Sequence, residues 1–204
     1  TKSGEYLVIN SGSTLSTESR FLKADNPKGE FLIFQERERD LEYSIDHYGD
    51  QFYIRTNLDA SNFKLMKTLV TATEKSNWID VIPHRDDVLL TGFELFKEYL
   101  VVSETSNALP AIRIIPFNAD DEHYIAFHEQ AFSVSISTNM EFDTEKLRIS
   151  YTSMTTPNSI YDYNMATKER NLLKMDEVVG GFNPADYYSE RKFVSTADGT
   201  KVPI

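Results

Sequence analysis

The chain has 204 residues, 40% of them apolar, a formal net charge of −11 and no cysteine. A surface that binds nucleic acid needs clustered lysine and arginine, so this acidic balance argues against a nucleic-acid partner. The lack of cysteine excludes disulfides and cysteine zinc sites and leads us to expect a cytoplasmic protein, and no apolar run approaches the ~18–20 residues of a membrane span.

One strand-like theme occurs four times along the chain. Its copies contain Leu7, Phe52, Leu100 and Leu147, which follow one another at 45, 48 and 47 residues. Each copy is followed by a small polar cluster and then by a second strand-like run. The second runs lie at 21–22, 63–65, 111–114 and 159–161. Repeats of about 40 to 50 residues are typical of β-propeller blades, so the period predicts stacked β-sheets.

The apolar pattern within the repeats favours strands over helices. Residues 51–57 alternate, with Phe52 and Ile54 on one face and Tyr53 and Arg55 on the other. Other runs are apolar on both faces, as expected for strands between two neighbouring sheets; they lie at 31–34, 88–90 and 99–102. Turn-forming residues separate the runs, at 26–29, 48–50, 118–121 and 156–158.

We therefore predict an all-β fold: a partial β-propeller of about four four-stranded blades over residues 1–180. The predicted blade limits are 1–47, 48–96, 97–140 and 141–180, and residues 181–204 form a connection that leaves the repeat. The connection contains the best helix signal, with Asn183 as the cap and Pro184 in the first helical position. Because residues 198–204 enter a new strand, we expect a piece of a longer protein, whose open edges favour edge-to-edge self-association.

No catalytic residue is predicted within the chain. The eight glycines are never four apart, so the Gly-x-Ser-x-Gly turn that exposes a serine nucleophile is missing, and no phosphate-binding glycine loop is present. His123 and His128 are five apart, which separates their side chains on a strand or a helix, so we predict no metal site and no cofactor. The sequence does not identify substrate-binding residues.

Three groups of charged residues stand out in the sequence. Residues 82–87 are either a loop that contacts a partner or a turn in which aspartates accept backbone hydrogen bonds, and we favour the turn. The side-chain charges of residues 36–40 alternate in sign, which indicates a solvated edge or hairpin tip. The pairs Asp120–Asp121 and Asp46–Asp50 suit acid–base catalysis in principle, but 32 acidic residues make chance pairs common.

Several stretches, in order and covering nearly the whole chain, resemble a known family. The strongest is Tyr151-Thr152-Ser153-Met154-Thr155-Thr156-Pro157, and Ile82-Pro83-His84-Arg85 is another. The remaining stretches are 53–57, 62–65, 78, 92–93, 95–96, 99–102, 109–110, 112–113, 181–182 and 198–204. They resemble the prolyl oligopeptidase family of serine peptidases, and within it the oligopeptidase B (protease II) branch. Two positions differ: Thr105 stands where the family more often has Arg, and Ala108 where Gly is usual.

The resemblance implies a seven-bladed propeller that caps an α/β-hydrolase domain and admits only short peptides to an internal active site. This chain would be the later blades, and residues 181–204 would lead toward the hydrolase domain. The resemblance places the serine, aspartate and histidine of the catalytic triad in that domain, beyond Ile204. The expected partners are the hydrolase domain and short basic oligopeptides, which the branch cleaves after Arg or Lys.

Two alternatives remain open at this point. A free-standing propeller that serves as an interaction module would have a native start and stop. A carbohydrate-active propeller enzyme would bring acidic side chains together at one end of the repeat stack.

Overall fold

The computed structural model describes residues 1–204. It is all-β, with seventeen strands and two three-residue helical turns, Lys75–Asn77 and Pro184–Asp186, neither long nor apolar enough to cross a bilayer. The strands are β1 (Tyr6–Ser13), β2 (Ser16–Lys23), β3 (Leu32–Gln35), β4 (Tyr43–Tyr48), β5 (Gln51–Thr56), β6 (Lys64–Leu69), β7 (Ile79–Ile82), β8 (Val88–Leu95), β9 (Tyr99–Ser106), β10 (Leu109–Pro116), β11 (His123–Tyr124), β12 (Phe132–Ile136), β13 (Lys146–Ser153), β14 (Ser159–Asn164), β15 (Arg170–Met175), β16 (Phe193–Ser195) and β17 (Lys201–Pro203).

The strands form four antiparallel meanders in chain order, followed by a separate hairpin. Sheet 1 contains β1 to β3, sheet 2 contains β4 to β7, sheet 3 contains β8 to β11 and sheet 4 contains β12 to β15. β16 pairs with β17. The arrangement confirms the predicted all-β fold with four-stranded blades, except that sheet 1 has three strands.

An apolar layer lies between each pair of neighbouring sheets. Phe34 and Phe52 belong to the layer between sheets 1 and 2. Tyr53 and Leu100 belong to the layer between sheets 2 and 3, and Ile149 to the layer between sheets 3 and 4. Phe52 and Tyr53 are adjacent in β5 and serve different layers, because successive side chains of a strand point to opposite faces. The predicted alternation in β5 is confirmed.

The repeated residue of the theme occupies one structural position. Phe52, Leu100 and Leu147 lie in β5, β9 and β13, the second strands of their sheets, and each points into the layer shared with the preceding sheet. Leu7 holds the same place in β1 of sheet 1 and is exposed. β1 is therefore the counterpart of a second strand, and sheet 1 corresponds to the last three strands of the other sheets.

The predicted blade limits are wrong in phase. The sheets span 6–35, 43–82, 88–124 and 132–175, whereas the prediction placed β4, β8 and β12 at the ends of the preceding modules. The apolar second strands give the strongest pattern in the sequence, so a prediction from the pattern starts each module near one of them. The first strands carry more polar residues, as in the segment Tyr43–Tyr48, and give a weaker signal.

The first strand of each sheet marks the inner edge of the stack. β4, the first strand of sheet 2, lies against β8, the first strand of sheet 3. The fourth strands form the outer edge: β11 has only two residues, and β15 has no buried residue. In a propeller the blades surround a central channel, so the first strands are the ones that line the axis.

The predicted turns lie between strands, and Asn183 caps a helical turn by accepting a hydrogen bond from the Ala185 N–H. Residues 36–40 are exposed, as predicted, but they do not form a hairpin tip. They connect β3 to β4, and Arg37 within them donates to the backbone oxygens of Ser11 and Ser16. Alternating charge cannot distinguish a hairpin tip from a connection between sheets.

Ala108→Gly is expected to raise the free energy of unfolding by about 1 kcal/mol. Asn107 and Ala108 join β9 to β10 and have φ values of 50° and 58°, as in the tight hairpin turns that favour glycine. A Cβ atom is unfavourable in this left-handed region. Ala111→Gly, three residues further on inside β10, is the control and is expected to destabilise; urea denaturation of both variants measures the difference.

Candidate functional site

One end of the sheet stack collects the segments that connect the sheets. Segments 36–42, 83–87 and 125–131 each join a fourth strand to the next first strand. Because the strands are antiparallel, the turns between second and third strands lie at the same end. We call this end the connection face. β15 also ends there, so residues 176–204 start from the connection face.

The residues after β15 contact the connection face directly. The Arg191 N–H donates to Gln130 Oε1 at 3.3 Å, and the Arg191 guanidinium donates to the Asn107 carbonyl. Gln130 lies in the 125–131 segment, and Asn107 lies in the β9–β10 turn. The segment that leaves the repeat is therefore held against sheets 3 and 4 on this face.

A carboxylate bound by four hydroxyl groups lies beside this contact. Ser153 Oγ donates to the Glu129 carboxylate at 2.6 Å, and Thr156 Oγ1 donates to it at 3.0 Å. Tyr151 and Thr155 donate to the same carboxylate. Glu129 lies in the 125–131 segment, and its donors lie at the end of β13 and in the following turn. The cluster therefore joins the sheet 3–sheet 4 connection to the turn of sheet 4.

The hydroxyl groups change the acidity of Glu129. Burial raises the pKa of this carboxyl, but the hydrogen bonds from Ser153, Thr155, Tyr151 and Thr156 outweigh it and lower the pKa from 4.5 to about 2. Burial and the neighbouring Glu129 charge raise the pKa of Tyr151. Glu129 is therefore ionised and acts as an acceptor, which is unlike a general acid held protonated at neutral pH.

Glu129→Gln is expected to reduce the loss of stability in acid. Because the folded pKa lies below the ordinary value, ionised Glu129 stabilises the fold above pH 4.5, and this contribution is lost as the pH falls from about 4.5 to 2. The variant is expected to be less stable at neutral pH, and its free energy of unfolding is expected to change less between pH 4.5 and 2. Urea denaturation over this pH range measures it, with the exposed Glu177→Gln as control. An unchanged slope in Glu129→Gln would contradict the assignment.

A buried charge cluster lies on sheet 3 and includes Arg85 of the connection from sheet 2. The Glu104 side chain is 2% exposed and lies 2.8 Å from Arg113 Nη2. Tyr124 Oη donates to Glu104 Oε2 at 2.8 Å, and Arg85 from the 83–87 segment also pairs with Glu104. Arg113 Nη1 binds the more exposed Glu122 at 3.1 Å. Arg113 Nε has no hydrogen-bond partner, so this arginine depends on its two carboxylates for charge compensation.

The 82–87 segment forms a turn held to sheet 2, which agrees with the structural interpretation, although its hydrogen bonds differ from those expected. The Asn62 amide donates to the backbone oxygens of Arg85 and Asp86 at 3.1 and 2.8 Å. The Asn62 N–H donates to His84 Nε2 at 3.3 Å. The Asp86 side chain is almost fully exposed, so an asparagine from another loop replaces the expected aspartates.

The other candidate residues are dispersed. His47 Nδ1 lies 2.9 Å from Ser3 Oγ, and His123 Nε2 lies 2.9 Å from Tyr163 Oη. His128 lies in the 125–131 segment. Asp121 binds Lys168 at 2.8 Å, and Asp46 accepts the His47 N–H at 2.9 Å. No group of three or more His, Asp or Glu side chains is arranged to hold a metal ion.

The functional candidates on the connection face depend on contacts that sequence reasoning missed. The sequence drew attention to residues 151–157 only as a resemblance and did not identify Glu129 as their partner. The partner lies 22 to 27 residues away in the chain. The signal present in the sequence is the high number of hydroxyl residues in this turn. They indicate a nearby hydrogen-bond acceptor but do not identify the residue that supplies it.

Four meandering sheets stacked around an inner edge define a segment of a β-propeller. Residues 1–176 match the family described as "Prolyl oligopeptidase, N-terminal beta-propeller domain". The chain therefore belongs to the prolyl oligopeptidase family, as the resemblance predicted. The match ends one residue after β15, where the chain leaves sheet 4.

Individual relatives are similar along the whole chain. Dipeptidyl aminopeptidase BI of Pseudoxanthomonas mexicana is 42% identical over 98% of this chain and 28% of the relative. Protease 2 of Moraxella lacunata is 24% identical over 100% of this chain and 29% of the relative. Oligopeptidase B from Trypanosoma brucei, solved in a closed form with covalently bound antipain, superimposes with a TM-score of 0.88 and 29% identity over 100% of this chain and 30% of that one. The chain thus spans less than a third of the length of these relatives.

Proposed function

We propose that this chain is the non-catalytic, gating part of a serine oligopeptidase that hydrolyses short peptides after Arg or Lys. The observation that carries the proposal is the match of residues 1–176 to the propeller domain of a peptidase family. An α/β-hydrolase domain of the same protein is the partner, and it docks on the connection face. The contacts of Arg191 with Asn107 and Gln130 support this placement, because they hold the departing segment there.

The charge of the chain supports basic peptides as substrates. A net charge of −11 gives the propeller a negative field, which raises the local concentration of cationic ligands. The effect is electrostatic and is screened within about 10 Å at ~0.1 M salt. The gate therefore favours Arg- and Lys-containing peptides most at low ionic strength.

A peptide-length series tests the gating role. The full-length protein that carries this chain is assayed on arginyl peptides of increasing length, each with one cleavable bond. We expect kcat/KM to fall sharply beyond a limiting length and to fall for all lengths when Arg is replaced by norleucine. Equal cleavage of short and long peptides would overturn the gating role, and indifference to norleucine would overturn the preference for basic residues.

A second candidate activity is the release of dipeptides from free amino termini. The 42% identity to dipeptidyl aminopeptidase BI favours it, since the oligopeptidase B structure is only 29% identical. A pair of dipeptidyl amides that differ only in an N-acetyl group separates the two activities. An endopeptidase cleaves the acetylated substrate, whereas a dipeptidyl aminopeptidase requires the free amine.

A further inference from the structure

The connection between β12 and β13 is much longer than its counterparts. The first and second strands are joined by residues 49–50 in sheet 2 and by residues 96–98 in sheet 3. In sheet 4 the same connection is residues 137–145. All three connections lie at the inner edge and at the end of the stack opposite the connection face. We call residues 137–145 the strap.

Both ends of the strap are anchored on sheet 4. The Asn139 amide donates to the Ser137 and Arg148 backbone oxygens at 2.8 and 3.1 Å, and its oxygen accepts the Arg148 N–H at 2.7 Å. At the other end, the Met165 N–H donates to the Glu145 carbonyl at 2.8 Å. These bonds fix the two bases of the strap and leave residues 140–143 as its tip.

The tip of the strap reaches the neighbouring sheets. The Lys97 N–H of sheet 3 donates to the Phe142 carbonyl at 3.0 Å, and Lys97 Nζ lies 2.7 Å from Asp143 Oδ2. The Phe142 ring lies 6.2 Å from the ring of Tyr48 in sheet 2, centroid to centroid. Tyr48 Oη in turn donates to the Lys97 carbonyl at 2.9 Å. The strap therefore links the inner turns of three consecutive sheets.

The contacts at the tip are weaker than those at the bases. Lys97 and Asp143 are 52% and 72% exposed, so solvent screens their attraction. An open surface groove of about 420 Å³ lies beside the strap, lined by Asn139, Glu141 and Arg148 among others. A segment with firm bases, a solvated tip contact and free space beside it has the properties of a latch that opens.

We propose that the strap is a latched gate over the axial opening on the face away from residues 176–204, and that its release admits longer peptides. The inference rests on the proposed function, because it assumes that peptides pass along the propeller axis. The latch consists of Asp143 and Phe142 on the strap and of Lys97 and Tyr48 on the neighbouring sheets. Glu141, Asp143 and Glu145 make the strap acidic, which matches the basic peptides expected at this opening.

The test uses the full-length protein with Phe142→Ala and Asp143→Asn, singly and together. Asp121→Asn is the matched control. The Lys168–Asp121 ion pair has a similar N–O distance, 2.8 Å, and similar exposure. It also joins sheets 3 and 4, but at the outer edge. The first readout is hydrogen exchange of the Lys97 amide, which the Phe142 carbonyl protects. We expect exchange about two- to fivefold faster in Asp143→Asn, faster still in the double variant, and unchanged in the control.

The second readout is the ratio of kcat/KM for a long and a short arginyl peptide. We expect the double variant to raise this ratio relative to Asp121→Asn, which removes the same charge, and we expect added salt to raise it in the wild type. An unchanged ratio together with faster Lys97 exchange would overturn the gate, since peptides would then enter by another route. Unchanged Lys97 exchange would overturn the latch itself. Failure of the wild type to cleave any peptide would instead refute the proposed function.

Discussion

Glu104→Gln is expected to lower the free energy of unfolding by about 3–5 kcal/mol, as for other buried ion pairs that lose one partner. Glu104 is the fully buried carboxylate between Arg85 and Arg113, and Tyr124 also donates to it. A glutamine keeps the size of the side chain and removes its charge. Arg113 then retains only the exposed Glu122 as a counter-charge, while its Nε already lacks a partner.

Glu122→Gln is the matched control for this prediction. It removes the other carboxylate on Arg113, but the Glu122 side chain is half exposed, so the expected loss is about 0–1 kcal/mol. Urea denaturation at neutral pH gives both values. Equal losses in the two variants would contradict the assignment of the effect to the burial of Glu104 rather than to the mere presence of an ion pair.

Phe52→Ala is expected to cost about 3–5 kcal/mol of unfolding free energy. Phe52 has no exposed surface, and its ring contacts the rings of Tyr6, Phe21, Phe34 and His47 at centroid distances of 5.1 to 5.4 Å. Truncation leaves a cavity at the centre of the layer between sheets 1 and 2. The surrounding rings cannot close the cavity without losing their tilted and edge-on contacts with one another.

Phe193→Ala provides the same chemical change outside the stack. Phe193 lies in the separate β16–β17 hairpin and is half exposed, so the expected change stays within about 0.5 kcal/mol. Chemical denaturation followed by tyrosine and tryptophan fluorescence compares the two variants. A small effect at Phe52 would contradict the assignment of the repeated theme to the layers between the blades.

The repeat and the all-β fold could be predicted because they depend on local patterns. Phe52, Leu100 and Leu147 recur at one position because each fills the layer toward the preceding sheet, and the same demand produces the same residue type. The phase of the blades could not be predicted in this way. The first strands, such as β4, are partly polar, so their composition does not show which sheet they belong to. Their pairing with the next strand assigns them, as β4 pairs with β5.

The candidate site was less accessible from the sequence. Glu129 and its hydroxyl donors, and Glu104 with Arg85 and Arg113, are separated by at least nine residues. They meet only when neighbouring strands pair and the 83–87 and 125–131 segments fold against them. The strap is a similar case. Its acidic residues are visible in the sequence, but the contact of Phe142 with Tyr48 requires three sheets to be placed side by side.

We propose that these residues carry no reactive group of the peptidase and serve a catalytic domain elsewhere in the same protein. Labelling of the full-length protein with a serine-directed fluorophosphonate, followed by mass spectrometric mapping of the modified residue, tests this claim directly. We predict a single modified serine, outside residues 1–204 and within a Gly-x-Ser-x-Gly sequence. A modified serine inside residues 1–204 would contradict the account.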